Sequence, residues 1–164
     1  MQKESEKLIH PLRPVFADDS ECLILGSFPS ALSRRAEFYY GNPQNRFWQV
    51  LSAIYQCPLP KTNAEKRELI LSQKLALWDV IASCRINGSA DSSIADVIPN
   101  DLSQILSRAP IRKILLGGKV AARWFYKYHK TIKIPTLVLP STSPANAAWS
   151  LERLCAAWRE GLLN

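Results

Sequence analysis

The residues able to do chemistry in this chain crowd into one stretch, Gly26 to Trp48, reading GSFPSALSRRAEFYYGNPQNRFW. Flat rings beside hydroxyls and amides suit a planar heterocycle, whose face stacks on aromatics while its edge takes hydrogen bonds. Phe28, Phe38, Tyr39 and Tyr40 have the chemistry to stack on such a ring. Ser27, Asn42 and Asn45 have the chemistry to bond its edge. The competing role for the aromatics is core packing. That role suits Phe47 and Trp48, whereas for Tyr39 and Tyr40 both roles stand. A second polar cluster, STSPANA, begins at Ser141.

Other chemistries find no support. Gly117-Gly118-Lys119 lacks the spacing of a phosphate-binding P-loop and reads as a tight strand-to-helix turn. GSFPS is not a nucleophile elbow, and neither His10 nor His129 lies near a nucleophile in sequence. No dinucleotide fingerprint is present. Glu37, Asp79 and Asp91 are the acids available for a carboxylate pair, but no spacing favours two of them. Asp79 reads equally well as a structural acid. Cys22, Cys57, Cys84 and Cys155 are scattered among apolar residues and form no C-x-x-C pair, so they read as small buried hydrophobes rather than metal ligands. Neither a metal nor another cofactor is expected.

Charge narrows the partner. The net charge is +7, and no acidic residue stands between Asp101 and Glu152. That interval carries Arg108, Arg112, Lys113, Lys119, Arg123, Lys127, Lys130 and Lys133, so the remainder of the chain sums to −1. A basic segment of this kind is the footprint of a polyanion. No run of about 18 apolar residues is present, and the first residues lack an apolar signal core. A cytoplasmic protein without a membrane partner is expected.

The elements that must position these groups read as alternating strands and helices. Apolar strands are expected over 22–27, 75–81, 112–116 and 134–140. Helices are expected over 45–56, from a cap at Asn63, over a short segment after Asn100, over 119–130 and over the last fifteen or so residues. Residues 1–19 read as an N-terminal arm, the first 14 of them as an arm or short helix carrying little chemistry. Residues 82–94 read as a loop. Chain length indicates one domain, 1–164. Buried strands alternating with helices indicate an α/β fold with a parallel sheet. Each interesting loop then leaves the carboxyl end of a strand, where ligands bind in such sheets.

Taken in order, LILGSFPS, YYGNPQNRFW, LWDVIASCRINGSADSSI, IRKILLGGKVA and VLPSTSPANA resemble the uracil-DNA glycosylase superfamily over roughly residues 20–160. The DNA-deoxyinosine (hypoxanthine) branch is the nearest. The resemblance implies a three-layer αβα sandwich around a four-stranded parallel sheet. It implies a monomeric, metal-free, monofunctional glycosylase acting on DNA that contains deaminated bases. The superfamily usually places a water-activating Asp or Asn where this chain has Phe28. The catalytic role therefore shifts to Asn45 of the NRFW motif, with Asn42 in reserve. Gly26, Ser27, Phe28, Tyr40 and Phe47 are the implied base pocket. Ser141, Thr142, Ser143, Pro144, Ala145 and Asn146 are the implied DNA-binding loop. Ser30, Lys119 and Arg123 are the expected phosphate contacts. Alternatives are a uracil or mismatched-thymine glycosylase of the same fold, an inactive DNA-binding domain, and a small-molecule α/β hydrolase.

Overall fold

The computed structural model describes residues 6–87 and 93–164. Strand β2 (Cys22–Gly26) is buried at every position and forms the centre of the molecule. It pairs in parallel with β3 (Leu75–Asp79) on one side and with β6 (Lys113–Gly117) on the other. Strand β7 (Thr136–Leu139) continues the sheet beyond β6, giving the order β3-β2-β6-β7. The continuous apolar runs LILG and LALW follow from this position, since a parallel strand covered on both faces cannot alternate.

Helices α1 (Ala31–Ala36), α2 (Phe47–Tyr55) and α3 (Asn63–Ser72) connect β2 to β3, and α5 (Lys119–Tyr128) connects β6 to β7. Helix α4 (Ser103–Leu106) is a single turn, and α6 (Leu151–Leu163) ends the chain. From β2 the chain moves outward to β3. It then crosses back, and from β6 it moves outward in the opposite direction to β7. Right-handed crossovers of opposite sense put their helices on opposite faces. Helix α6 returns to the α2 face, where Trp158 meets Phe47 edge-on with ring centroids 5.8 Å apart. The result is the expected three-layer αβα sandwich with a four-stranded parallel sheet. No helix among the described residues is long and apolar enough to cross a membrane.

Several local expectations differ from the structure. The strand expected over 75–81 ends at Asp79, and a second strand, β4 (Ile81–Arg85), starts after Val80. Residues 82–85 of the loop expected over 82–94 are therefore strand. β4 pairs antiparallel with β5 (Ala95–Pro99) and with β1 (Lys7–Ile9) in a separate three-stranded sheet. Residues 88–92 of that loop lie outside the described residues. Of the first 14 residues, expected as an arm or short helix, the described ones (6–14) contain β1 and no helix. Three residues are too few to show a period of two, so that signal was hidden. Thr62, not Asn63, caps α3, accepting the Glu65 N–H at 3.1 Å while Glu65 in turn accepts the Lys61 N–H at 2.7 Å. This is a variant of the capping box, with the Glu65 carboxylate reaching past the cap to the N–H of the residue before it.

Asn100 ties the two sheets together. Its buried side-chain amide donates to the carbonyls of Asp79 (2.9 Å) and Ile81 (3.2 Å), and its N–H donates to Val80 O at 2.8 Å. Asn100→Ala leaves two buried carbonyls without that partner. A loss of about 2–3 kcal/mol is expected, measured as a lower urea midpoint at unchanged slope.

Candidate active site

The reversal of strand order between β2 and β6 opens a crevice at the carboxyl ends of these strands, where open α/β sheets bind ligands. Gly26 and Gly117 end the two strands and line a cleft of about 550 Å³. The walls come from residues 27–31, 33, 34, 39, 40, 42, 45 and 141–145.

The floor is Asp79, which ends β3 opposite Gly26 in the parallel ladder. A Cβ on Gly26 would lie 2.6 Å from Asp79 Oδ1 and 3.4 Å from the Tyr40 hydroxyl. Glycine is thus what lets the carboxylate stand against β2. Asp79 Oδ2 accepts a 2.8 Å hydrogen bond from His10 Nε2. Burial, followed by the Asp79 charge, pushes both the Tyr39 and Tyr40 phenols well above the ordinary tyrosine range. Both remain neutral hydroxyls at any working pH.

The aromatic stretch divides by depth. Phe38 is core and packs on Trp48, while Tyr39 is buried with its hydroxyl on Arg13 O at 2.7 Å. Tyr40 is the wall. It sits at φ 54°, in the left-handed region that L side chains rarely adopt, and its ring stacks on Phe47 at 3.8 Å. That stack holds the strained backbone in place. Phe47 itself is fully buried behind Tyr40 and is not among the cleft-lining residues. Phe28 lines the cleft and meets the His10 ring edge-on.

Asn45 and Arg46 join the aromatic loop to the 141–149 loop. Asn45 Oδ1 accepts the Phe47 N–H (2.9 Å) and the Thr142 hydroxyl (2.8 Å). The cap expected at Asn45 is therefore displaced by one residue: Arg46 occupies the cap position, and Asn45 serves the first helical N–H from just outside. Among the described residues, Asn45 Nδ2 has no protein partner, and Asn45 lines the cleft. The Arg46 guanidinium donates to the carbonyls of Trp149, Ser143 and Asn146. Asn42 also lines the cleft, its Oδ1 accepting the Gln44 N–H.

Residues 13–160 match the Uracil DNA glycosylase superfamily. The chain belongs to that superfamily. Its enzyme class is DNA glycosylase. A hypoxanthine DNA glycosylase from Methanosarcina barkeri (strain Fusaro / DSM 804) is 34% identical over 149 residues, covering 90% of this chain and 93% of the relative. One from Methanosarcina acetivorans is 36% identical over 141 residues, covering 85% and 89%. The solution NMR structure of a Methanosarcina acetivorans protein put forward as a uracil DNA glycosylase superposes with a TM-score of 0.78 at 32% identity, covering 93% of this chain and 97% of that one.

The cleft gathers most of the residues singled out from sequence. Gly26, Ser27, Phe28, Ser30, Tyr40, Asn42, Asn45 and Ser141 to Ala145 all line it. Ser30 caps α1, its Oγ accepting the Ser33 N–H at 3.1 Å. Asn146 turns inward, donating to Ser141 O at 2.9 Å. Lys119 and Arg123 are exposed on the first turns of α5, beside rather than within the cleft. The acid-free interval is not one face. Arg112 pairs with Glu21 (3.0 Å), Arg108 with Asp18 (3.8 Å), and Lys113 donates to Leu162 O (3.3 Å). These three sit at the opposite edge of the sheet, because β6 carries the chain from one edge to the other.

Two residues of the site were not legible locally. His10, which reaches the cleft through Asp79, had no motif around it. Arg34 lines the cleft 6.0 Å from the Phe28 ring, and among the described residues its buried Nε has no hydrogen-bond partner. Asp79 did carry a signal, as the lone charge in an apolar strand. Gly26→Ala is expected to push the Asp79 carboxylate aside and lower base release about 100-fold. The circular dichroism spectrum should stay native, and the loss is read in a single-turnover glycosylase assay.

Proposed function

We propose that this protein excises hypoxanthine from deoxyinosine in DNA, flipping the damaged nucleotide into the cleft and hydrolysing its N-glycosidic bond. The names of the two Methanosarcina relatives support hypoxanthine as the base. The observation that carries the reading is Asp79 Oδ1, an acceptor at the cleft floor beside Gly26. Hypoxanthine presents an N1–H where adenine presents a lone pair. A fixed carboxylate oxygen accepts from the first and repels the second, so deamination itself is the recognised change. Guanine shares the N1–H, but its intact pair with cytosine makes flipping costlier than at a mispair.

The chemistry is displacement at the sugar. The C1′–N9 bond breaks and its electron pair leaves with the base. A water oxygen bonds C1′ and sheds one proton, and the departing purine gains one. The products are free hypoxanthine and an abasic site. The transition state carries positive charge on the sugar and negative charge on the base, so donors aimed at the base lower the barrier. With Oδ1 of Asn45 held by Phe47 and Thr142, its Nδ2 is the donor for that task. The start of α2 lies alongside and adds positive potential. Asn42 is the second amide. An amide is a poor general base, so catalysis rests on positioning and electrostatics. The Ser141–Asn146 loop presses on the DNA, with Ser30, Lys119 and Arg123 on phosphates. The enzyme works as a monomer in the cytoplasm.

The test is base release from duplexes containing deoxyinosine, deoxyuridine, deoxyxanthosine or deoxyadenosine, read by alkaline cleavage at abasic sites. Deoxyinosine should be cut fastest and deoxyadenosine not at all. Faster release of uracil would make the protein a uracil glycosylase instead. Salt-sensitive duplex binding without release would make it a binding domain. Asn45→Ala should lower release by about 10²–10³-fold. Unchanged release in a folded variant would remove Asn45 from the role.

A further inference from the structure

His10 lies before the superfamily match, which starts at residue 13, yet its ring bonds the floor of the cleft. Its side chain is 3% exposed and that of Asp79 is 6% exposed. We infer that His10 is a positioning residue: it holds Asp79 with Oδ1 turned into the cleft and so sets base discrimination from outside the matched stretch. The inference rests on the reading of Asp79 as the base acceptor.

The bonding pattern defines the state of the ring. His10 Nδ1 lies 3.2 Å from the Leu12 N–H, which can only donate, so Nδ1 carries no proton. The ring proton is therefore on Nε2 and is donated to Asp79 Oδ2 at 2.8 Å. Both nitrogens are committed, and none is left to exchange a proton with substrate. His10 acts through Asp79 or not at all. The bond occupies Oδ2 and leaves Oδ1 as the oxygen beside Gly26. Without it, the carboxylate is free to turn about its two torsions and present either oxygen, or neither, to the base.

The segment that delivers His10 is fastened along its length. β1 pairs with β4 through Lys7–Arg85, Leu8–Cys84 and Ile9–Ser83. The His10 N–H donates to Ala82 O at 2.8 Å, the Tyr39 hydroxyl holds Arg13 O, and Val15 exchanges two backbone bonds with Leu77. The ring is flanked by Phe28 at 5.8 Å and Tyr39 at 6.1 Å between centroids. The three-stranded sheet thus has a task beyond packing, because it sets the height of one imidazole against one carboxylate.

The experiment compares single-turnover release from deoxyinosine and from the 2′-deoxynucleoside of 1-deazapurine, which has C–H in place of N1 and lacks O6, and so offers Asp79 neither a donor nor a lone pair. His10→Phe keeps a ring and loses the donor, whereas His10→Gln keeps a side-chain N–H. His10→Phe should lose about 10–100-fold on deoxyinosine, the worth of one hydrogen bond to a charged group, and less than about threefold on the 1-deazapurine nucleoside. His10→Gln should recover most of that loss. In an Asp79→Ala background, His10→Phe should add no further loss on deoxyinosine, as coupled residues show in a double-mutant cycle. His10→Met, of similar length without a donor, replaces the Phe variant should that one not fold. Equal losses on both nucleosides, or additive losses with Asp79→Ala, would overturn the inference and leave His10 a packing residue. If Asp79→Ala leaves the ratio between the two nucleosides unchanged, the acceptor reading itself fails and takes the role of His10 with it. If Asp79→Ala collapses the ratio while His10→Phe does not, the acceptor reading survives and the role of His10 alone is lost.

Discussion

Parallel backbone pairing of β2 with β3 on one side and β6 on the other brings Gly26, Asp79 and Gly117 to the same edge of the sheet. The direction of chain travel reverses between β2 and β6, so no connection covers that edge, and the loops that follow the strands must splay around it. Every other part of the site depends on this. The aromatic loop starts one residue past Gly26, the carboxylate stands across the ladder from it, and the turn at Gly118 abuts the 141–149 loop. Gly118 has φ 110°, and a Cβ there would meet the Ser141 Cβ at 3.1 Å, so the approach of these two loops requires glycine.

A carboxylate at the closed end of an aromatic cleft is costly unless its charge is answered. The fold answers one oxygen of Asp79 with the His10 imidazole and sets the other against Gly26, where the cleft begins. The neighbouring phenols take the consequence, staying neutral under the combined effect of burial and that charge. The site is therefore lined by aromatic and apolar side chains together with the Asp79 carboxylate, the Asn42 and Asn45 amides and several hydroxyls, in keeping with a small-molecule pocket that places a limited set of polar groups. Arg46 performs the matching task at the mouth, drawing three carbonyls of the 143–149 segment onto one guanidinium. One side chain thereby holds a loop with no regular structure of its own close to Asn45 and the start of α2.

Much of this was legible residue by residue. The four strands of the main sheet could be placed within a few residues, because each is an apolar run bounded by glycine, proline or charge. The convergence of loops at one edge followed from the alternation of strands with helices. Failures occurred where a signal was short or shared. β1 is too short, and β5 too exposed, to show periodicity. β4 was read as loop because its residues Ser83, Cys84 and Arg85 look like turn formers until they are paired. The basic interval looked continuous because sequence counts charge along the chain, whereas a strand of five residues carries successive charges to opposite edges about 15 Å apart.

Local chemistry therefore determined what this chain is made of: a central buried parallel sheet, an aromatic and amide-rich loop after its first long strand, and enough motif content to resemble one superfamily. These are properties of neighbours in sequence, which periodicity and turn residues report directly. Tertiary structure alone decided which polar groups work together. His10 and Asp79 are 69 residues apart, and Asn45 and Thr142 are 97 apart. Their pairing depends on strand order, on the register of β1 against β4, and on the depth to which each side chain is buried. None of these leaves a periodic trace, since a single hydrogen bond between distant residues asks only for one suitable side chain at each end.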